Sequence, residues 1–403
     1  MFDFETLYDR RGCDALAVDA LGTGWAPGAP EEGFDAIPMW IADMSFATAP
    51  SVTKALAARI AHPLYGYFEP SDAYFDAIIR WQRERNGVTG LLREHIGYEN
   101  GVLGGLLSAI GALCSRGEHV LVHSPTYLGF THALEDGGYR IVHSPLRRDA
   151  QGIYRMDLAD MERRIVEHRI HAAVFCSPHN PTGRVWEREE LVAMMELFRR
   201  HDVYVVSDEI WSDILLFGHR HIPTQSVSED ARERTVALYA PSKTFNLAGL
   251  VGSYHVIYNT YLADRVRRES ALPHYNSMNV LSMHALLGAY APEGAVWVDA
   301  LCCVLSDNVA EACRFFRERV PLLDFAIPQG TYMLFLDCRR FLRERGMTLD
   351  ELLRAGWAVG VAWQDGRQHG GEEHIRLNLA LPTVRLRKAL SRLDMHVFSR
   401  LTK

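Results

Sequence analysis

Between about residues 51 and 290, short apolar runs alternate with stretches of helical periodicity. The runs are Val120-Leu121-Val122, Ala172-Ala173-Val174-Phe175, Val203-Tyr204-Val205-Val206, Val236-Ala237-Leu238-Tyr239 and Tyr254-His255-Val256-Ile257. Such alternation predicts an α/β domain with a mostly parallel central sheet flanked by helices. Catalytic and binding groups then belong in the loops at the carboxyl ends of the strands. From about residue 291 the pattern changes to a long helical stretch, Val296 to Val320, then strand-like Thr331 to Leu336 and Ile375 to Leu379, and a final helix from Val384. This predicts a smaller α+β domain over residues 291–403 beside a large domain over 51–290.

Three of the expected strand ends carry polar loops of complementary chemistry. Ser177-Pro178-His179-Asn180-Pro181-Thr182-Gly183 follows one run, Ser207-Asp208-Glu209-Ile210-Trp211 ends another, and Tyr239-Ala240-Pro241-Ser242-Lys243-Thr244-Phe245-Asn246 follows a third. Lys243 is one of four lysines in a chain with 43 lysines and arginines together. Each loop alone reads as a solvated strand end or a turn. Taken together and in this order, they supply what pyridoxal phosphate chemistry needs. Lys243 can form a Schiff base with the cofactor aldehyde, Asp208 can hold the pyridine nitrogen protonated, and Asn180 can donate to the ring's phenolic oxygen.

A phosphate needs several N–H donors, and the start of a helix supplies them with a favourable dipole. Glu99-Asn100-Gly101-Val102-Leu103-Gly104 precedes the helical run Leu106 to Leu113, so the backbone of Val102 and Leu103 is the expected phosphate cradle; a glycine-rich turn entering a buried helix is the other reading. Arg376, in Ile375-Arg376-Leu377-Asn378-Leu379, alternates with apolar neighbours as an inward charge on a strand does. Its planar fork fits an α-carboxylate in two parallel hydrogen bonds, or else a buried protein carboxylate. His219 and His221 have no carboxylate or cysteine at metal-ligand spacing, so they are expected at the surface or behind the site, with no metal. Leu21-Gly22-Thr23-Gly24 lacks a preceding strand and reads as a loop.

The chain resembles the fold-type I pyridoxal phosphate enzymes of the class I/II aminotransferase superfamily, and within it the MalY and PatB cystathionine β-lyase-like branch. The resemblance rests on Pro38-Met39-Trp40-Ile41-Ala42-Asp43-Met44, Pro178 to Trp186, Asp208-Glu209-Ile210-Trp211-Ser212-Asp213 and Ser242 to Leu250, with Ile375-Arg376-Leu377-Asn378 near the end. It implies that residues 1–50 join the small domain, that Tyr127 stacks on the pyridine ring, and that Ser242 adds a hydroxyl to the phosphate. It also implies a homodimer with a shared active site, in which the partner subunit's Tyr67 reaches that phosphate. Two positions depart from the pattern. Trp211 stands where many members carry a tyrosine bonded to the phenolic oxygen, and an indole can only donate. Ser45 follows Ala42-Asp43-Met44 where the branch continues with a second aspartate, in a segment expected near the substrate.

By this resemblance the reaction is carbon–sulfur β-elimination from an S-substituted L-cysteine such as cystathionine. Transamination, a decarboxylating or oxidative deaminating reaction of specialised metabolism, and regulation through protein contact are the competing expectations. Composition narrows the partners. With 48% hydrophobic and 23% charged residues the chain is ordinary for a globular enzyme, and a net charge of −7 gives no footprint for nucleic acid. The acidic start, Met1-Phe2-Asp3-Phe4-Glu5, lacks the pattern of a secretory signal, and the longest mostly apolar run, Val102 to Cys114, is too short to span a bilayer. A cytoplasmic location without membrane attachment is expected, with the seven cysteines reduced.

Overall fold

The apolar runs fold into a seven-stranded sheet in the order Ile96–Glu99, Ser253–Val256, Thr235–Tyr239, Tyr204–Asp208, Ala172–Cys176, His119–Ser124 and Arg140–Pro145. The five strands from Thr235–Tyr239 to Arg140–Pro145 are parallel, and Ser253–Val256 runs antiparallel to both of its neighbours. The computed structural model describes residues 2–273 and 276–399. Valines and alanines dominate the central strands because both faces of the sheet are covered; Val174, Val206 and Val236 are all buried in one cluster with Leu106, Ala109 and Ile110 of the Val102–Leu113 helix.

Both edge strands lack a clear sequence signal. Arg140–Pro145 alternates exposed and buried positions, and Ile96–Glu99 contains Gly97 and ends in a glutamate, residue types that strands disfavour. Gly97 is required by packing: a Cβ there would lie 2.2 Å from Nε2 of His255.

The chain divides into two compact units, Thr48–Asn180 with Arg184–Asp299, and Met1–Ala47 with Pro181–Gly183 and Ala300–Lys403. The border between residues 299 and 300 falls inside the helix Pro292–Arg319, where no change of composition marks it. The second unit holds a four-stranded sheet in the order Ile37–Met39, Val361–Asp365, His374–Asn378 and Met333–Asp337. Ile37–Met39 lies parallel to Val361–Asp365, and the remaining pairs are antiparallel. The short detour through Pro181–Gly183 is held within this unit by Gln329 and Gly330, whose N–H groups both donate to the carbonyl of Gly183, at 2.8 and 3.0 Å. Gly183 has φ +69°, and a Cβ on it would meet Pro328 at 2.6 Å, so no other residue fits. None of the helices among the described residues is long and apolar enough to cross a membrane.

Asn308, fully buried on the Pro292–Arg319 helix, ties down the turn that follows the His374–Asn378 strand. Its Nδ2 donates to the carbonyls of Leu379 and Leu381 at 3.0 and 2.8 Å, and its Oδ1 accepts from Thr383 Oγ1 at 2.8 Å. Asn308→Ala strands two buried carbonyls, and at ~1–3 kcal/mol for each unsatisfied group the variant is expected to lose about 2–6 kcal/mol. Urea unfolding followed by circular dichroism measures the loss; a change below about 1 kcal/mol, the net worth of an ordinary hydrogen bond, contradicts this account.

Candidate active site

Three neighbouring parallel strands deliver the polar loops side by side. Cys176 and Leu238 are the two Cα partners of Asp208 across the sheet, so the segments leading to Asn180 and Lys243 leave on either side of Asp208. Asn180, Asp208 and Trp211 are all buried, while Ser242 and Lys243 are half-buried.

Asp208 is only 4% exposed. Its Oδ1 accepts one hydrogen bond, from the N–H of Ile210 at 3.0 Å. Burial pushes its carboxyl up to about 7 and the charge of Glu209 adds to the rise; the Ile210 bond and the ammonium of Lys243 oppose it without winning. An acid so placed needs a cation beside it to ionise.

Glu209, the next residue, is equally buried and has the opposite environment. Its Oε1 accepts from Ser207 Oγ and the N–H of Thr224, both at 2.9 Å, and its Oε2 accepts from Tyr239 Oη at 2.6 Å and faces His221 Nε2 at 2.7 Å. Burial alone would raise its carboxyl, but His221, Tyr239 and Thr224 hold it below the usual glutamate range. His221 therefore lies behind the site and His219 at the surface, as expected. Among the described residues no group of three or more His, Cys, Asp or Glu side chains could hold a metal ion.

The turn bearing Lys243 is fastened from below. Phe245 N–H donates to the carbonyl of Pro241 at 2.8 Å and Leu247 N–H to that of Ser242 at 3.0 Å. Thr244 Oγ1 donates to Asp213 Oδ2 and Trp81 Nε1 to Asp213 Oδ1, both at 3.1 Å, with Arg85 Nε 4.0 Å away. Trp81 in turn stacks on Tyr290 with ring centroids 4.4 Å apart. Burial raises the Asp213 carboxyl, and Arg85, Thr244 and Trp81 work against the rise.

Gly101, at φ +78°, caps the Val102–Leu113 helix, whose first internal bond runs from Gly105 N–H to the carbonyl of Gly101 at 3.0 Å. The N–H groups of Val102, Leu103 and Gly104 therefore face out of the helix start. The preceding N–H, of Asn100, donates to Asn276 Oδ1 at 2.8 Å, and Asn276 Nδ2 donates to the carbonyl of Tyr98 at 2.9 Å. Tyr127 begins the Leu128–Asp136 helix and packs edge-on against Phe130, 5.4 Å between centroids, in the same cluster as Val102 and Leu103. Its ring occupies the space above Gly129, where a Cβ would come within 2.4 Å of it. Tyr67 is fully exposed.

In the smaller unit Arg376 is 2% exposed. Its Nη2 donates to the carbonyl of Trp40 at 3.0 Å and to Gln364 Oε1. Asn378, on the same face of the strand, donates Nδ2 to the carbonyls of Ile41 and Asp43, both at 2.7 Å. Arg10 pairs with Asp43 at 2.5 Å, and Ser45 N–H donates to the carbonyl of Ala380 at 2.9 Å.

Sequence reasoning did not reach Glu209, Asp213, Trp81, Tyr239 or Asn276. The one signal for the two acids was their polarity inside otherwise apolar stretches; Tyr239 lies 30 residues from Glu209, Trp81 lies 132 from Asp213, and Asn276 lies 176 from Asn100.

Known proteins with this sequence pattern and fold agree with one another. The family model for aminotransferase class I and II matches residues 36–393. Cystathionine beta-lyase PatB of Bacillus subtilis (strain 168) is 35% identical over 398 residues, 97% of this chain and 98% of that protein. Protein MalY of Escherichia coli (strain K12) is 32% identical over 403 residues, covering 97% of each. Among solved structures, the PLP-bound C-S lyase from Staphylococcus hominis superimposes with a TM-score of 0.87 at 30% identity, over 98% of each chain. The chain belongs to the aminotransferase class I and II family.

Proposed function

We propose that this enzyme is a pyridoxal 5'-phosphate-dependent carbon–sulfur β-lyase that splits an S-substituted L-cysteine of the cystathionine type into a thiol, pyruvate and ammonia. The observation that carries the cofactor part is Asp208, a buried acid raised to about 7 at the strand end beside the Lys243 turn. That donor set fits the cofactor: a carboxyl lacking a strong cation suits a protonated ring nitrogen, the outward N–H groups of Val102, Leu103 and Gly104 suit a phosphate, and a half-buried primary amine suits an aldehyde. The relatives named for cystathionine β-lyase and C-S lyase activity support the reaction part.

When bound, the cofactor supplies an electron sink for negative charge developing on the substrate's Cα. With the cofactor present, Lys243 would be the residue that holds it through Nζ and, once free of it, the base that would accept the Cα proton on the same atom. Asp208 would be the residue beside the ring nitrogen, and its charge there would keep the sink effective. Asn180 and Trp211 are assigned to donate toward the phenolic oxygen, Tyr127 to cover the ring face, and Ser242 with the partner subunit's Tyr67 to share the phosphate. Arg376 is assigned the α-carboxylate. As the proton leaves Cα, the Cα–Cβ double bond forms and the Cβ–S bond breaks, releasing the thiolate; the enamine product takes up water to give pyruvate and ammonia. The reading includes a homodimer in the cytoplasm, which the full exposure of Tyr67 supports as far as the shared site is concerned. Aminotransfer is the second reading, favoured by the family model; it requires an oxo acid as co-substrate.

Holoenzyme incubated with L-cystathionine and no oxo acid is expected to release pyruvate and a free thiol in equal amounts. Absence of pyruvate, with turnover restored only by an oxo acid, sinks the lyase reading. Lys243→Ala should abolish the absorbance of the covalently held cofactor. Arg376→Lys should raise KM roughly ten- to a hundredfold, the worth of one or two charge-assisted hydrogen bonds, with that absorbance unchanged.

A second expectation concerns protons. In the cofactor-free protein Asp208 has its folded value raised to about 7, so its contribution to stability is complete below pH ~4 and is lost as pH rises toward 7. At about 1.4 kcal/mol per pKa unit the loss is on the order of 4 kcal/mol. Asp208→Asn, which does not titrate, should gain on the wild type over that interval in unfolding experiments, and saturating cofactor should erase the wild type's decline. Parallel pH profiles for the two cofactor-free proteins contradict the assignment.

A further inference from the structure

Glu99 is a buried acid, 1% exposed, that none of the steps above uses. It ends the strand Ile96–Glu99 and stands two residues before Gly101, the cap of the Val102–Leu113 helix. A carboxyl out of water costs several kcal/mol unless donors serve it. Here they come from the structure around the helix start. His255 Nδ1, on the neighbouring strand Ser253–Val256, lies 2.8 Å from Oε1, and Ser270 Oγ, on the Thr260–Ala271 helix, donates to the same oxygen at 3.0 Å. Ser108 Oγ, on the Val102–Leu113 helix itself, stands 3.5 Å from Oε2.

Two glycines make room for this arrangement. Gly97 lies under the His255 ring, and Gly105 lies against Glu99, whose Cγ would be 2.9 Å from a Cβ there. Gly105 is also the residue that closes the first turn of the helix, through its N–H to the carbonyl of Gly101 at 3.0 Å. The Glu99 side chain therefore fills the gap between the strand and that turn. Its backbone is held as well, because its carbonyl accepts from Gly101 N–H and from Ser253 Oγ, both at 2.9 Å. One residue thus fixes the strand end, the cap and the first turn together. The directions of the Val102, Leu103 and Gly104 N–H groups follow from that turn.

We propose that Glu99 is a positioning residue for the cofactor phosphate: anchored by His255 and Ser270, it braces the first turn of the Val102–Leu113 helix from behind and keeps its three outward N–H groups aimed at one point. Hydrogen bonds to an anion weaken steeply with distance and angle, so loss of the brace acts on the phosphate and spares the contacts of the ring. The inference rests on the reading of Val102, Leu103 and Gly104 as the phosphate cradle.

The test compares pyridoxamine 5'-phosphate with pyridoxamine, which differ in the phosphate alone and form no covalent bond to Lys243, by fluorescence titration of the full-length protein freed of cofactor. The wild type is expected to prefer the phosphorylated ligand. Glu99→Ala should weaken that ligand by about tenfold or more, the worth of one charge-assisted hydrogen bond, and change pyridoxamine by less than about twofold. Glu99→Gln keeps the side-chain length, the packing on Gly105 and one acceptor for His255, and should return the phosphorylated ligand to within about threefold of the wild type. Ser270→Ala removes a single donor and should act in the same direction by about three- to tenfold, which carries the test where Glu99→Ala fails to fold. Equal losses for both ligands overturn the proposal, since they make Glu99 part of the general packing. So does a wild type that prefers the phosphate while Glu99→Ala and Ser270→Ala keep the full preference; the cradle reading then stands and only the role of Glu99 falls. A wild type that binds the two ligands alike removes the cradle reading, and this inference with it.

Discussion

Two adjacent carboxyl groups, both out of water and oppositely served, govern the larger unit. Glu209 collects donors from Ser207, Thr224, Tyr239 and His221, while Asp208 receives a single backbone N–H. Burying a carboxyl costs several kcal/mol unless donors or a cation compensate, so the first arrangement is complete in itself and the second is not. That inequality sets Asp208, the proposed functional acid, apart from Glu209 without any appeal to motif. The donors of Glu209 also fasten the strand end: Glu209 is bonded to the 221–224 segment and to Tyr239 of the neighbouring strand.

The Lys243 turn depends on a second carboxyl in the same way. Asp213 links Thr244, beside the lysine, to Trp81 on the Asp72–Asn86 helix, and Trp81 is clamped between the Tyr290 ring and the guanidinium of Arg85, 5.5 Å from its centroid. Phe245 stacks on Trp297 at 5.4 Å on the other side of the turn. The proposed role of Lys243, to hold a cofactor and then accept a proton, gains from a fixed base, because only its own side chain needs to move. Asn276 serves the helix start similarly, fixing Asn100 while the N–H groups of Val102, Leu103 and Gly104 stay outward.

What the sequence disclosed follows from how local each signal is. Central strands announce themselves as apolar runs because both faces are covered, and their ends place Asn180, Asp208 and Lys243 by counting forward from the run. The edge strands Ile96–Glu99 and Arg140–Pro145 pair on one side only, so their composition is half that of a loop. The Ile37–Met39 strand is three residues long and contains a proline, which hides it altogether. Spacing led us to expect His221 at the surface or behind the site, but not its bond to Glu209, which depends on how the 221–226 segment folds back on the strand end. Trp211 reads as a departure in a motif; its near-complete burial shows that the indole is packed as well as a possible donor.

Ser45 is the departure that the smaller unit makes intelligible. The segment from Trp40 to Ser45 is held mainly through its backbone: Arg376 takes the carbonyl of Trp40, Asn378 those of Ile41 and Asp43, and Ala380 the N–H of Ser45. Asp43 adds its side chain through Arg10. None of these contacts uses the side chain of residue 45. The placement of Arg376 therefore does not depend on which side chain residue 45 carries. Backbone anchoring of this kind leaves the position of Arg376, the proposed carboxylate clamp, independent of the neighbouring side chains.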